Sequence, residues 1–576
     1  MKGLMLGNEA VARGLYEAGC MFVSSYPGTP STEITEAIAK YPEVYAEWAP
    51  NEKVAMESAF GACVAGRRSF CGMKHVGLNV AADPLFTISY TGVNAGMVIG
   101  VADDAGMHSS QNEQDSRHYA MAAKIPMLEP ADSAEALAFT KLAYDLSEQF
   151  DTPVIIKMCT RVSHSQSVVE TGDRVECLKE YKKDIPKYVM MPGNAKRRHP
   201  VVEARTMALT AYAEDAEINY IDPGFSDEMG FITSSTSYQY IKEVMGNKYP
   251  VLKLGMIWPM PVKKIKDFAA SVKKLIVVEE LDGFIEAHCK NLGIDCVGKE
   301  MFSCIDELSQ NKVADALSVC HDCGTKLDAA IPPRPPVMCA GCPHRGLFYT
   351  LSKNKLTVLG DIGCYTLGAV APLSAVDTVI CMGASVSGIH GFSKSQKGAA
   401  DGKTVAVIGD STFMHSGITG LVNMGYNESN ATVIIVDNSI TGMTGHQQNP
   451  TTGFNLKGDP CAKIDLESLC CAVGIKRVRV VDPYNLKQCD EAIKEELAAN
   501  EPSVIISRRP CALLKYVKHK APLAVDADKC VGCKACMKIG CPAISMADGK
   551  AKVDATQCVG CGVCAQLCKL GALKEV

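Results

Sequence analysis

The sequence predicts a multidomain α/β protein that ends in a small cysteine-rich module. Three observations carry that expectation. At 576 residues the chain exceeds what one hydrophobic core organises, which points to three or four domains. Short β-branched runs alternate with amphipathic helical stretches, the pattern of sheets flanked by helices. Eight of the 27 cysteines crowd between Cys530 and Cys568, at the spacing of metal-cluster ligands.

Five runs read as strands: "PVIIKMC" from Pro153, "KLIVVEE" from Lys274, "TVAVIGD" from Thr404, "TVIIVDN" from Thr432 and "SVIISRR" from Ser503. Two stretches read as linkers, the polar "PGNAKRRHP" (192–200) and the proline-rich "IPPRPPV" (331–337). A third break, around "KHKAPLAVDADK", precedes the cysteines. These divide the chain into blocks of about 1–195, 198–325, 335–517 and 522–576. Glu9, Arg13 and Glu17 recur at helical spacing, so the N-terminal stretch is expected to be a helix and not a signal peptide. No apolar run reaches the roughly 18 residues that span a bilayer, so no membrane is expected. A net charge of -5 argues against a nucleic-acid partner. The nineteen other cysteines stand mostly among apolar residues and read as small buried hydrophobes. With 25 methionines they suit a reducing, anaerobic cytoplasm.

In the tail, Cys530, Cys533, Cys536 and Cys541 are followed by Cys558, Cys561, Cys564 and Cys568. Three thiolates at two-residue spacing wrap three corners of a cubane, and the fourth of each run ligates the other cluster. The expected 4Fe–4S sites are therefore Cys530, Cys533, Cys536 with Cys568, and Cys558, Cys561, Cys564 with Cys541. Structural zinc is the alternative, and the double pattern stands against it. The stretch resembles bacterial-type ferredoxin domains, with one departure: four residues, not three, separate Cys536 from Cys541.

The third block contains "GDSTFMHSGITGLVNMGYNESNATVIIVDN". One strand is expected to end at Gly409-Asp410, a helix to begin near Ser416, and a second strand to end at Asp437-Asn438. Adjacent strand ends form the carboxyl edge of a parallel sheet, where α/β proteins bind ligands. Asp410 and Asn438 are hard oxygen donors suited to Mg²⁺, which in turn holds a diphosphate. The unit resembles the thiamine diphosphate motif, with Ser411 in place of its second glycine. By that resemblance Asp410, Asn438 and the Ile440 carbonyl bind Mg²⁺, and Gly409, Ser411, Gly442 and Met443 lie along the cofactor. Met443 would help impose its bent conformation.

Thiamine chemistry also needs a glutamate against the aminopyrimidine ring. "NEKVAMESAFGACVAG" offers Glu52 at a helix start, with Glu57 inside the helix as its competitor. "SSYPGTPSTE", in the same block, resembles the Tyr-Pro-x-Thr-Pro-Ser segment of 2-oxoacid:ferredoxin oxidoreductases. There the threonine contacts the substrate carboxylate or keto oxygen, which implies that role for Thr29.

Together with "SSQNEQDSRHYA", "CAGCPHRG" and "TGMTGHQQNP", these motifs resemble the indolepyruvate branch of that family, across all four blocks. The resemblance implies thiamine-diphosphate-binding-type parallel-sheet domains at 1–195 and 335–517. It further implies a transketolase C-terminal-like α/β domain at 198–325 and a two-cluster ferredoxin domain at 522–576. The activity it implies is oxidative decarboxylation of an arylpyruvate, with coenzyme A capturing the acyl group and electrons leaving singly to external ferredoxin. It also implies a small β subunit as partner, in a hetero-oligomer. Cys339, Cys342, Cys364 and Cys511 resemble the ligands of a cluster near thiamine, the alternative being buried thiols beside a loop. His344, His415 and His446 stand beside cofactor motifs as candidate acid/base or phosphate partners. Arg117 and His118 are candidates to meet a substrate carboxylate. Two other functions stay open: oxidation of a different 2-oxoacid, and an electron-transfer subunit whose thiamine site has decayed.

Overall fold

A computed structural model describes residues 2–320, 329–396 and 402–575. The chain forms two compact units, Met1–Ala329 and Ala330–Val576. The block boundary expected at 325 lies outside the described residues.

In the first unit, seven strands line up as Met256–Trp258, Met127–Leu128, Val154–Cys159, Met97–Asp103, Ser69–Lys74, Phe22–Ser25 and Tyr45–Trp48. All neighbours run parallel except the edge strand Met256–Trp258. That strand comes from the second block, so the two blocks share a sheet. They also share one apolar core, in which Met97, Ile99 and Ile155 pack with Ile232, Leu252 and Val277. The unit also holds a four-stranded sheet, Leu275–Val278, Gly230–Thr233, Val251–Lys253 and Tyr220–Asp222, and an antiparallel pair, Lys2–Leu6 with Gln166–Glu170.

The polar stretch 192–200 is not a linker. It opens the 24-residue helix Pro192–Asp215, with Pro200 inside it. Pro192 stands in the first turn, where a missing N–H costs nothing. Arg198 reaches Asp151 Oδ2 at 2.8 Å and the Tyr90 carbonyl at 2.6 Å, and Arg205 donates to the Asp151 and Ser89 carbonyls. These tertiary bonds override the cost of Pro200.

In the second unit a fully parallel sheet runs Thr357–Leu359, Thr404–Gly409, Thr432–Asp437, Ser503–Arg508, Arg477–Val481. Side chains alternate across a strand, so Val405, Val407, Ile434 and Val436 enter one core while Ala406, Ile408, Val433 and Ile435 enter the other. Burial on both faces explains why these strands read as continuous apolar runs. All five strands anticipated from the sequence are present. The segment 331–337 has no regular secondary structure and is exposed. Beyond the sheet, Leu523–Val525 pairs with Leu573–Glu575 and Ile544–Ala547 with Lys550–Val553, two antiparallel ribbons that frame the cysteine tail. Among the described residues no helix is long and apolar enough to cross a membrane.

Candidate active site

At the carboxyl edge of the second unit's sheet, the helix begins at Asp410, not near Ser416. Asp410–Thr412 is helical, Phe413–Gly417 forms a π turn, and Ile418–Tyr426 continues. Ser, Thr and Gly are weak helix formers, which is why the start was not visible in the sequence; π turns recur at functional sites. Asp410 is buried. Its Oδ2 accepts from Thr451 Oγ1 at 3.0 Å and Asn449 Nδ2 at 3.3 Å. That leaves Oδ1 facing Asn438, the residue that follows the neighbouring strand.

One terminal atom of the Asn438 side chain lies 2.7 Å from the Ile440 carbonyl oxygen and 3.2 Å from Asp410 Oδ1. With its nitrogen there, the amide donates to both; with its oxygen there, three acceptors converge and only a cation satisfies them. Burial and the neighbouring Asp437 raise the Asp410 pKa. Asp437 is itself paired with Arg508 at 2.8 Å, whereas Asp410 has no cationic partner among the described residues.

Thr441 Oγ1 donates to the Ser411 hydroxyl at 2.8 Å, fixing the loop on which Gly442 and Met443 stand. Met443 is 51% exposed. A Cβ on Gly409 would stand 2.7 Å from the Tyr365 ring, so glycine is required there by packing. His344 is buried, and burial pushes its pKa down to about 4, so the ring is neutral. His415 Nδ1 lies 2.7 Å from the Ser416 hydroxyl, and His446 Nε2 lies 3.9 Å from Cys511 Sγ. Asn449, within "TGMTGHQQNP", and Thr451, just after it, carry no mark of this role in the sequence; only the folded loop brings them onto Asp410.

The same edge gathers the separated cysteines. Burial pushes the Cys364 thiol up to about 11, with Cys511 and Cys339 adding to it. Burial likewise pushes Cys342 up to about 12, where Cys339 and Cys364 raise it and Arg345 opposes them. The Cys511 backbone N–H donates to the Asn438 carbonyl at 2.9 Å, and a Cβ on Gly442 would stand 3.5 Å from Cys364 Sγ. The four cysteines thus form one neighbourhood beside Asn438.

The tail folds with the two runs crossed. A cavity is lined by Cys530, Cys533, Cys536 and Cys568. Burial pushes Cys564 up to about 12, with Cys561, Cys541 and Cys558 contributing. Backbone N–H groups of Ala551, Leu523 and Ala572 donate to the sulfurs of Cys530, Cys558 and Cys568 at 3.4, 3.5 and 3.2 Å. Such bonds tune the potential of a cluster.

In the first unit, Glu52 is the first residue of the helix Glu52–Val64, capped by Asn51, whose side chain accepts from the Val54 N–H at 2.9 Å. Glu52 is only 5% exposed. A Cβ on Gly77 would stand 2.5 Å from Glu52 Oε1, so a glycine there makes room for the carboxylate. Glu57 is exposed and paired with Lys53 on the helix surface. Thr29 lies in the loop after Phe22–Ser25, and the Cβ position of its neighbour Gly28 is 3.0 Å from Lys74 Cβ. Lys74 ends the strand Ser69–Lys74, and its Nζ is 3.9 Å from Asp104 Oδ2. His75, next in the chain, is buried, and its Nδ1 has no hydrogen-bond partner among the described residues; burial, and then Lys74, lower its pKa to about 4. Nothing in a lone Lys-His pair marks this position in a sequence.

Arg117 does not meet a substrate carboxylate. At 1% exposure it is held by Asp115 and by Glu279 at 2.6 Å, with the Glu280 and Asp282 carbonyls taking further N–H groups. His118 is paired with Asp282 at 3.0 Å. A buried guanidinium needs such internal carboxylates, which leaves it none to offer a ligand.

Three family models match the chain. Residues 13–220 match "Pyruvate flavodoxin/ferredoxin oxidoreductase, thiamine diP-bdg", 361–507 match "Thiamine pyrophosphate enzyme, C-terminal TPP binding domain", and 523–569 match "4Fe-4S dicluster domain". These matches make the chain a thiamine-diphosphate oxidoreductase of the 2-oxoacid type that carries a 4Fe–4S dicluster module. "Indolepyruvate oxidoreductase subunit IorA" of Archaeoglobus fulgidus is 40% identical over 100% of this chain and 97% of its own length. That of Methanothermobacter thermautotrophicus is 39% identical over the same shares. The chain belongs to this family of indolepyruvate oxidoreductase IorA subunits. "2-oxoglutarate synthase subunit KorA" of M. thermautotrophicus is 28% identical over 33% of this chain and 53% of its own length.

Proposed function

We propose that the chain, with a small β subunit, catalyses coenzyme A-dependent oxidative decarboxylation of arylpyruvates such as indole-3-pyruvate. The products are the arylacetyl-CoA and CO₂, and the electrons pass through its iron–sulfur clusters to external ferredoxin. The observation that carries this reading is the convergence of Asp410 Oδ1, the Asn438 side chain and the Ile440 carbonyl at one sheet edge. Oxygen donors gathered there, with no protein cation beside them among the described residues, suit Mg²⁺, which would neutralise a diphosphate.

Thiamine diphosphate, when bound, supplies the electron sink for decarboxylation. Asp410, Asn438 and the Ile440 carbonyl would hold its Mg²⁺, with Gly409 and Ser411 at the diphosphate and Gly442 and Met443 along the cofactor. Glu52 would accept and hold a proton at the aminopyrimidine ring, in a pocket its burial keeps dry. Thr29 would orient the substrate carboxylate or keto oxygen. Cys339, Cys342, Cys364 and Cys511 would hold a third cluster, upstream of the two in the tail. Their shared neighbourhood beside Asn438 supports this, and a cluster there would shorten the electron path to the tail. The aryl assignment is supported by the full-length match to indolepyruvate subunits against a one-third match to KorA.

The test is anaerobic turnover with indolepyruvate, phenylpyruvate and pyruvate, with and without the β subunit. Preference for the aryl acids is expected; faster turnover of pyruvate would overturn the aryl assignment. About twelve iron atoms per active chain would support the third cluster, and about eight would remove it.

A further inference from the structure

Arg345 follows the "CAGCPH" loop on the helix His344–Lys353 and is 4% exposed. Among the described residues no carboxylate pairs with it. Its guanidinium instead donates to four carbonyls from two places in the chain. Nε and Nη2 reach the Cys339 carbonyl at 3.3 and 3.2 Å, and Nη2 also reaches that of Met338. Nη1 reaches the Ile539 carbonyl at 3.2 Å and that of Gly540. Ile539 and Gly540 belong to the four-residue segment before Cys541, the segment that is one residue longer than the ordinary ferredoxin spacing.

Gly540 has φ 66°, in the left-handed region, and a Cβ there would stand 2.8 Å from Pro372 Cδ. Only glycine therefore turns its carbonyl toward Arg345 at that closeness. A second contact runs alongside. A Cβ on Gly341 would stand 2.1 Å from Val559 Cγ2, so the "CAGC" loop lies against the loop of Cys558 and Cys561. The Tyr484 hydroxyl donates to the Gly341 carbonyl, and Gln566 Nε2 donates to the Tyr484 carbonyl at 2.7 Å.

Carbonyl dipoles solvate a buried guanidinium but do not cancel its charge, and an uncompensated buried charge is costly. A cubane held by four thiolates is anionic, and its potential responds to nearby charge. We propose that Arg345 is a positioning residue for electron transfer: it clamps the lengthened Cys541 loop onto the Cys339 loop, and its buried positive charge stabilises the reduced state of the cluster held by Cys541, Cys558, Cys561 and Cys564. With both clusters bound, each transfer would move one electron from the cluster held at Cys339 and Cys342 to the one held at Cys541, oxidising the first and reducing the second with no bond made or broken. The inference rests on the reading above only for where electrons enter.

The test uses the full chain, purified anaerobically with its clusters. In Arg345→Gln the reduced fraction of the Cys541 cluster, followed by EPR during a redox titration, should fall about tenfold at a fixed potential, a shift of about 59 mV to more negative values. Deuterium uptake over 536–541 should rise. Arg345→Lys should keep the potential near that of the parent while uptake still rises, because an ammonium carries the charge but cannot span both carbonyl pairs. An unchanged potential and unchanged uptake in Arg345→Gln would overturn the proposal. If Arg345→Gln loses its iron, Arg345→Lys decides: raised uptake supports the clamp and unchanged uptake refutes it. An iron count of about eight in the parent would remove the upstream cluster, and the potential of the Cys541 cluster would still decide the role of Arg345.

Discussion

Asp410 and Glu52 are both buried carboxylates at the carboxyl edge of a parallel sheet, one in each compact unit, and their surroundings differ in kind. Asp410 faces oxygen: the Ile440 carbonyl and the Asn438 amide stand beside one carboxylate oxygen, and Thr451 and Asn449 fix the other. Glu52 opens a helix and lies against a glycine that leaves it room. On the proposed reading, the crowded oxygen donors, with no protein cation beside them among the described residues, hold the metal, and the buried, close-fitted Glu52 carboxylate is the proton partner. The contrast is what separates holding a cofactor from activating it.

Glu52→Gln tests the second half and carries the largest effect. Turnover should fall about 10²- to 10⁴-fold while thiamine diphosphate and Mg²⁺ still bind, read as cofactor content against rate. Loss of the cofactor in this variant would erase the distinction. Gly77→Ala should follow, at about 10- to 100-fold in turnover, because the added Cβ would stand 2.5 Å from Glu52 Oε1 and displace it. An unchanged rate would show that the position of Glu52 is not critical. Thr451→Val removes the hydroxyl that fixes Asp410, and Mg²⁺ affinity should weaken about 10-fold in a calorimetric titration, with Glu52 chemistry untouched.

The smallest effect is one of pH. Burial, then Asp437, hold the Asp410 carboxyl above its ordinary range. A carboxyl that keeps its proton more tightly folded than unfolded stabilises the fold in acid, and that contribution is lost as pH rises through the raised value. On the proposed reading Mg²⁺ binding at Asp410 releases this proton, so its affinity and the thermal shift it gives should both grow from mildly acid pH toward neutrality. A thermal shift independent of pH would place the cation elsewhere.

Much of this was legible in the sequence because it is local. Cysteine spacing marked out the tail, and β-branched runs gave the strands that end at Gly409 and Asp437. What was not legible depends on contacts between distant segments. The helix Pro192–Asp215 is held by Arg198 and Arg205 across to Asp151, against its own propensity. Arg117 looked available until the fold brought Glu279 to it, 162 residues along the chain. Asn449 and Thr451 acquire their positions only when their loop closes on Asp410, and Lys74 and Gly77 only when the strand Ser69–Lys74 and the helix after it meet distant segments, so no spacing announces them.

The most direct test of the central claim is a titration of Asp410→Ala with thiamine diphosphate and Mg²⁺, beside Glu52→Gln and the parent. Iron–sulfur absorbance should be the same in all three. Cofactor binding should be retained in the parent and in Glu52→Gln and lost by about 100-fold or more in Asp410→Ala. Undiminished cofactor binding by Asp410→Ala would contradict the assignment of Asp410, Asn438 and the Ile440 carbonyl as the cation site.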